Sequence, residues 1–89
     1  MRYAWDEAKR AANLRKHGLD FVDTPEVFAG PTCTVEDSRL SYGEQRLLSY
    51  GFLRGLCVSI VHTETEDEIR IISFRKATRR EAAFLIENL

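Results

Sequence analysis

Five cationic side chains crowd one short segment of this chain. They are Arg70, Arg75, Lys76, Arg79 and Arg80. Arginine forks donate paired, charge-assisted hydrogen bonds to phosphate and carboxylate oxygens, so clustered arginines are typical of sites that bind such anions. The segment therefore predicts an anion-binding site, whose geometry depends on the secondary structure that carries these cations.

The cationic segment contains a predicted strand followed by a predicted helix. Ile69 to Phe74 is apolar and β-branched enough for a buried strand, and Thr78 with Glu81 forms a capping box that opens a helix. Arg79 and Arg80 then fall in the first helical turn, where the helix dipole opposes each of them by about 0.3–1 kcal/mol. A bound anion would relieve this cost. The alternative is a solvated helix start that Glu81 and other acids neutralise.

The composition suits one small soluble domain covering residues 1–89. Hydrophobic residues make up 44% of the chain and charged residues 30%, and no apolar run approaches the roughly 20 residues of a membrane span. The first residues contain no apolar signal region, so we expect a cytoplasmic protein. Cys33 and Cys57 lie in strand-like segments without metal-ligand spacing. We expect no metal, no cofactor and no disulfide.

Charge is segregated along the chain although it nearly cancels overall. The formal net charge of −1 argues against a general nucleic-acid coat protein. Five of the 13 cations lie between Arg70 and Arg80 and five between Arg2 and Lys16, whereas acids crowd Glu64–Glu68. Such segregation is typical of a local binding site.

Helix and strand patterns divide the chain into seven elements. The first is a helix from Asp6 to His17, because acids begin it, Lys16 and His17 suit its negative end, and Gly18 follows as a left-handed cap. The other predicted elements are helices Phe21–Phe28 and Thr78–Asn88 and strands Thr32–Glu36, Arg46–Phe52, Leu56–Thr63 and Ile69–Phe74.

Short connections between the predicted strands favour an antiparallel meander. The turns are Ser41-Tyr42-Gly43, Leu53-Arg54-Gly55 and Glu64–Glu68. Alternate residues share a face, namely Leu56, Val58, Ile60 and His62 in one strand and Arg46, Leu48, Tyr50 and Phe52 in another. This alternation predicts one buried sheet face. The expected fold is α+β, ordered α-α-β-β-β-β-α, with a four-stranded antiparallel sheet packed against helices in one pair of layers.

A series of short motifs runs nearly end to end through the chain. They are Trp5-Asp6-Glu7-Ala8-Lys9, Asn13-Leu14-Arg15-Lys16-His17-Gly18, Phe21, Val27-Phe28, Tyr42-Gly43-Glu44-x-Arg46, His62-Thr63-Glu64 and Ile69-Arg70-Ile71-Ile72-Ser73-x-Arg75-Lys76-Ala77-Thr78-x-x-Glu81. In this order and spacing they resemble the BrnT family of toxins. Two positions depart from the family pattern, because Phe74 stands where a small alanine is usual and Leu85 where an aromatic residue, commonly Tyr, is usual.

The resemblance implies a RelE-like fold and the toxin half of a bacterial type II toxin–antitoxin pair. Such toxins are ribonucleases that inhibit translation and growth until a BrnA-like antitoxin, a ribbon-helix-helix DNA-binding protein, neutralises them. The resemblance also implies that operator DNA is contacted only through the antitoxin. The toxin is then expected to form a homodimer within a toxin–antitoxin tetramer.

Metal-free RNA cleavage requires cations and proton-transfer groups, because the ribose 2′-OH attacks the adjacent phosphate and negative charge develops there. We predict that Arg70 and Arg75 hold this phosphate. His62 or Glu44 would transfer the protons. Further RNA contacts are predicted for Lys76, Arg79, Arg80, Ser73, Lys16, His17 and Trp5.

Each of these candidates has a structural alternative. Arg70 also fits an exposed strand residue paired with an acid, and Glu44 follows a turn glycine, where solvated acids are common. His62 has the parity of its strand's apolar residues, where a hydrogen-bonded core histidine is the commoner outcome. Trp5 fits a hydrophobic lid over the first helix as well as a base-stacking platform. Ser73 fits a small residue in close packing.

A second function fits the same cations. A non-catalytic interaction module would use its basic patch to dock an acidic protein partner and would leave RNA intact. Direct DNA binding has less support, because the chain shows no helix-turn-helix pattern and its net charge is slightly negative. The resemblance to BrnT toxins therefore favours an endoribonuclease, and the lack of metal-ligand spacing agrees with a metal-independent reaction.

Overall fold

The computed structural model describes residues 1–39 and 43–89. Most of the predicted turn at Ser41-Tyr42-Gly43, including the Tyr42 of the family motif, lies outside the described residues. The elements are β1 (Arg2–Ala4), α1 (Glu7–His17), a 3₁₀ turn (Phe21–Asp23), α2 (Thr24–Phe28), β2 (Cys33–Glu36), β3 (Leu47–Leu53), β4 (Leu56–Glu64), β5 (Glu68–Lys76) and α3 (Arg79–Glu87).

The predicted helices and strands are present with ends that shift by one or two residues. The predicted helix Phe21–Phe28 is divided into the 3₁₀ turn and α2, and Pro25 explains the division. Proline has no amide hydrogen to donate to the carbonyl of Phe21 four residues earlier. The Thr24 hydroxyl donates to that carbonyl instead, at 2.7 Å.

The predicted helix ends are confirmed by their capping contacts. The Asp6 carboxylate accepts a hydrogen bond from the Lys9 amide, and Gly18 takes a left-handed conformation with φ 71° at the other end of α1. At α3, Thr78 and Glu81 form both halves of the capping box. None of the helices in residues 1–39 and 43–89 is long and apolar enough to cross a membrane.

The prediction of a four-stranded antiparallel sheet is wrong, although the α+β class is confirmed. In the described residues the sheet has five strands in the order β1-β5-β4-β3-β2. Strand β1 pairs parallel with the start of β5, where Tyr3 lies opposite Ile69. This strand has three residues, and its partner is more than 60 positions away in the sequence. No local sequence pattern therefore predicts this strand or its pairing.

The sheet is also covered on both faces, which corrects the prediction of one buried face and one pair of layers. On the α2 face, the strand residues Val58, Ile60, Ile71 and Phe74 pack with Phe21 and Val27 from the helical segments. On the α3 face, Leu48, Tyr50 and Val61 pack with Leu85. The apolar residues that alternate along β4 and those that alternate along β3 therefore lie on opposite faces of the sheet, and helices cover both faces.

Helix α1 closes the edge of β5 beyond the point where β1 ends. The buried Asn13 side chain donates from Nδ2 to the Phe74 carbonyl at 2.7 Å and accepts from the Phe74 amide at 3.1 Å. Nδ2 also donates to the Leu19 carbonyl at 3.1 Å. One side-chain amide thus replaces a neighbouring strand, and it fixes α1 beside β5.

We predict that Asn13→Ala lowers the free energy of unfolding by about 2–4 kcal/mol, because it leaves the Phe74 amide and carbonyl buried without partners. Urea denaturation measures the change. The exposed Arg15 on the same helix provides a control, since Arg15→Ala should alter stability by no more than about 0.5 kcal/mol. A loss below about 1 kcal/mol for Asn13→Ala would contradict the role assigned to this side chain.

Candidate functional site

Arg70, Ser73 and Arg75 lie on the same face of β5. Their partners on β4 are Thr63, Val61 and Ser59, which alternate along that strand and so share the α3 face. Arg70 is exposed, whereas Ser73 and Arg75 are half-buried. The two arginines predicted to hold phosphate therefore lie on the same side of the sheet, with a serine hydroxyl between them.

A β-bulge produces this arrangement. Val61 pairs with Ser73, but His62, the next residue of β4, pairs with Ile71, so Ile72 is an extra residue in β5. Side chains five positions apart in a regular strand lie on opposite faces. Here one of the five positions is taken up by the bulge, so the two side chains come to the same face. Arg70 and Arg75 consequently share the α3 face because of Ile72.

Arg75 is held by Glu81. Its Nη1 and Nη2 donate to the two Glu81 carboxylate oxygens, each at 2.8 Å, and the same carboxylate accepts from the Thr78 amide at 2.8 Å. These contacts lower the pKa of Glu81 to about 2 and raise the pKa of Arg75, because each partner stabilises the charged form of the other. The pair fastens the start of α3 to β5.

The remaining cations of the segment, Lys76, Arg79 and Arg80, are exposed at the end of β5 and in the first turn of α3. Arg80 also borders a cavity of about 360 Å³ on the α3 face, whose lining is completed by Val35, Tyr50, Glu81 and Phe84. Within residues 1–39 and 43–89, neither Arg70 nor any of these three exposed cations forms an ion pair. The charge at this end of β5 is therefore not neutralised locally.

His62 is fully buried on the α2 face, opposite Arg70 and Arg75. Its Nε2 shares a hydrogen bond of 2.7 Å with Ser49 Oγ, and the Phe28 ring packs edge-on at a centroid distance of 5.1 Å. Burial lowers the pKa of His62 to about 4, so the imidazole is neutral at pH 7. The structure does not bring this predicted proton-transfer group together with the predicted phosphate-binding arginines.

Glu44 and Trp5 also lie apart from these arginines. Glu44 is exposed ahead of β3, and its carboxylate lies 3.5 Å from the Arg46 Nε. Trp5 is half-buried, donates from Nε1 to Glu7 at 2.8 Å and packs edge-on against Phe21. Its contacts are those of a hydrophobic lid over the α2-face core.

A second concave surface lies between α1 and β5. This α1–β5 groove has a volume of about 240 Å³ and is lined by Lys9, Ala12, Asn13, Lys16, His17, Ile72 and Ser73. It brings together three residues that were predicted to contact RNA, namely Lys16, His17 and Ser73. Sequence reasoning missed Lys9, although its spacing of seven from Lys16 places both on one side of a helix.

The described residues contain no candidate metal-binding cluster. Within residues 1–39 and 43–89, no three side chains of His, Cys, Asp or Glu type are placed so that they could hold one metal ion. Cys33 and Cys57 are both free thiols, and burial raises the pKa of Cys57.

Comparison with protein families assigns the chain to a known class. A family model described as the ribonuclease toxin BrnT of type II toxin–antitoxin systems matches residues 5–81. The matched region contains α1, the whole sheet apart from β1, and the start of α3 with Glu81. The chain is thus of the type II ribonuclease toxin class. The chain belongs to the BrnT family. Comparison with curated proteins finds no match.

The burial of His62 predicts an acid-sensitive fold. Its pKa is about 4 in the folded state and about 6.5 when exposed, so folding favours the neutral ring. The resulting contribution to the free energy of unfolding is fully present above about pH 6.5. It is lost as the pH falls toward 4, and the loss is at most about 3 kcal/mol. Chemical denaturation at a series of pH values should show this slope in the wild type.

The variant His62→Gln should flatten the slope between pH 6.5 and 4, because glutamine does not titrate. His17→Gln is the matched control for the histidine-to-glutamine change, and it should leave the free energy of unfolding at pH 7 nearly unchanged because His17 is exposed. Protonation of Glu81 acts mainly at lower pH, between about 4.5 and 2, and so overlaps only the acid end of this window. An unchanged slope in His62→Gln would contradict the assignment.

Proposed function

We propose that this BrnT toxin is a metal-independent endoribonuclease and that RNA binds along the α3 face of β5. The observation that carries the proposal is the bulge at Ile72, which aligns Arg70, Ser73 and Arg75 on this face. In the proposed reaction the 2′-oxygen bonds to phosphorus while the P–O5′ bond breaks. A base accepts the 2′-OH proton, and an acid or water protonates the leaving 5′-oxygen.

The two arginines take different roles in this proposal. Arg70 is exposed and makes no ion pair within the described residues, so its fork is open to a phosphate. The fork of Arg75 already holds Glu81. Five positions along a bulged strand separate their Cα atoms by roughly 15 Å, so the two guanidinium groups would reach different phosphates of one RNA strand.

Arg79 and Arg80, in the first turn of α3, extend this surface, and Lys76 is the last residue of β5. Lys76, Arg79 and Arg80 lie beside the N-terminus of α3, where amide groups and the helix dipole also favour anions. We propose that they bind RNA phosphates adjacent to the cleaved one. Of the two predicted proton-transfer groups, the enclosed His62 is assigned to folding, and the exposed Glu44 lies beside Arg46 rather than beside the phosphate-binding arginines.

The partner proposed for this toxin is a BrnA-like ribbon-helix-helix antitoxin. Its carboxylates would compete with RNA for the exposed cations, so that inhibition follows from occlusion. Operator DNA would be contacted through the antitoxin alone. We further propose a RelE-like fold, a homodimer within a toxin–antitoxin tetramer, and a cytoplasmic location.

One observation favours the second candidate, a non-catalytic interaction module. The cavity beside Arg80 is largely apolar, and the Arg75 fork is already occupied by a carboxylate. Both features suit a protein contact that combines acidic and apolar side chains. RNA incubated with the purified protein separates the two candidates, because a binding module leaves every transcript intact.

We predict that Arg70→Ala slows RNA cleavage by roughly 10²-fold or more, because one preorganised phosphate donor is lost from the site. Purified protein is incubated with single-stranded RNA in the presence of a chelator, and the fragments are quantified over time. Arg2→Ala is the control, since Arg2 is an exposed cation of the neighbouring strand β1. Cleavage by Arg70→Ala at the wild-type rate would contradict the proposed phosphate contact.

A further inference from the structure

The α1–β5 groove has a wall of cations supplied by one helix. Lys9, Lys16 and His17 occupy positions i, i+7 and i+8 of α1, so they form one stripe along the side that faces β5. Ala12 lies between them and leaves space above the strand. Among the described residues that line the groove, none carries a carboxylate. The groove therefore attracts anions.

The acids nearest to this stripe are occupied elsewhere. Asp6 caps the start of α1 by accepting from a backbone amide. Glu7 accepts from Trp5 and from Arg10, at 2.8 and 3.1 Å. Asp20 accepts two hydrogen bonds from Arg10, at 2.7 and 2.9 Å. Arg10 thus binds two of these three carboxylates, and among the described residues neither Lys9 nor Lys16 forms an ion pair.

The opposite wall of the groove is the bulge in β5. Ile72 and Ser73 lie there, and within the described part of the chain the Ser73 hydroxyl has no hydrogen-bond partner. Ser73 also belongs to the face that carries Arg70 and Arg75. The groove is therefore continuous with the surface to which RNA binding is assigned, and its hydroxyl is free to donate to a phosphate oxygen.

We propose that the α1–β5 groove binds the phosphate at which RNA is cleaved and that His17 is a catalytic residue which accepts the 2′-OH proton. Histidine is the side chain that exchanges protons most readily near neutral pH, and His17 is exposed where His62 is enclosed. Lys9, Lys16 and the Ser73 hydroxyl hold the phosphate oxygens. This proposal rests on the proposed nuclease function and names the site of its chemistry.

The proton balance of the step is simple. His17 takes the 2′-OH proton as the 2′-oxygen bonds to phosphorus, and the P–O5′ bond breaks with its electron pair leaving on the 5′-oxygen. Water protonates the 5′-oxygen, and His17 returns its proton to solvent. The polar and charged groups that line the groove together with His17 include the ammonium groups of Lys9 and Lys16 from α1 and the hydroxyl of Ser73 from β5.

The first test is cleavage of single-stranded RNA by the full chain, measured across pH with chelator present. We expect His17→Gln to lower the rate by about 10²-fold or more and to remove the rise of rate with pH that a histidine base produces. Added imidazole should restore part of the rate of His17→Ala. His62→Gln is the matched histidine control, and it should retain the pH profile of cleavage under conditions where it is folded.

The second test is binding of a 2′-O-methyl RNA oligonucleotide, which has no 2′-OH to attack. Replacing both Lys9 and Lys16 by alanine should weaken binding at least about fivefold and lower the slope of log K against log salt by roughly 1.4, or 0.7 for each lost phosphate contact. Arg15→Ala removes an exposed cation of α1 outside the groove and should leave the slope unchanged.

The outcomes distinguish failure of the proposed nuclease function from failure of the roles assigned to His17 and the α1–β5 groove. RNA left intact by the wild-type protein would overturn the nuclease function and the role of His17 together. Cleavage that persists in His17→Gln with the wild-type pH profile would overturn the role of His17 alone. Equal binding and equal salt slope in the double lysine variant would overturn the phosphate groove.

Discussion

The bulge at Ile72 is the constraint on which the functional surface depends. In a regular strand of the same sequence, without the bulge, Arg70 and Arg75 would lie on opposite faces of β5, and one of them would be directed toward the α2-face core. With it, two arginines and Ser73 share one face, and the bulge itself forms a wall of the α1–β5 groove. Bulges often redirect side chains next to active sites, and here the redirected strand carries most of the candidate chemistry.

Two contacts fasten the helices that complete this surface. Asn13 binds both backbone groups of Phe74 and holds α1 against the edge of β5. At the next position of the strand, Arg75 and Glu81 form a bidentate pair that holds α3. Each contact uses one polar side chain on a helix and one position of β5, so the strand serves as the common support of the cationic surfaces.

The sequence predicted what depends on neighbouring residues and missed what depends on distant ones. Alternation of apolar residues located β2 to β5, and caps such as Thr78 with Glu81 located the helix ends, because these signals are local. The parallel pairing of β1 and the bulge at Ile72 arise between strands, so the sheet order and the shared face of Arg70 and Arg75 were not predictable. The sequence correctly placed His62 on the same strand face as Val58 and Ile60. That this face is buried beneath Phe28 depends on tertiary packing, which the sequence pattern does not show.

An NMR titration of the full chain with a 2′-O-methyl RNA oligonucleotide tests the central claim most directly, because it reports which face of β5 meets RNA. The account predicts that resonances of Arg70, Ser73 and the α1 residues of the groove shift, while those of His62 and Phe28 on the α2 face stay in place. Shifts confined to the α2 face, or no shifts along β5 at saturating oligonucleotide, would contradict it.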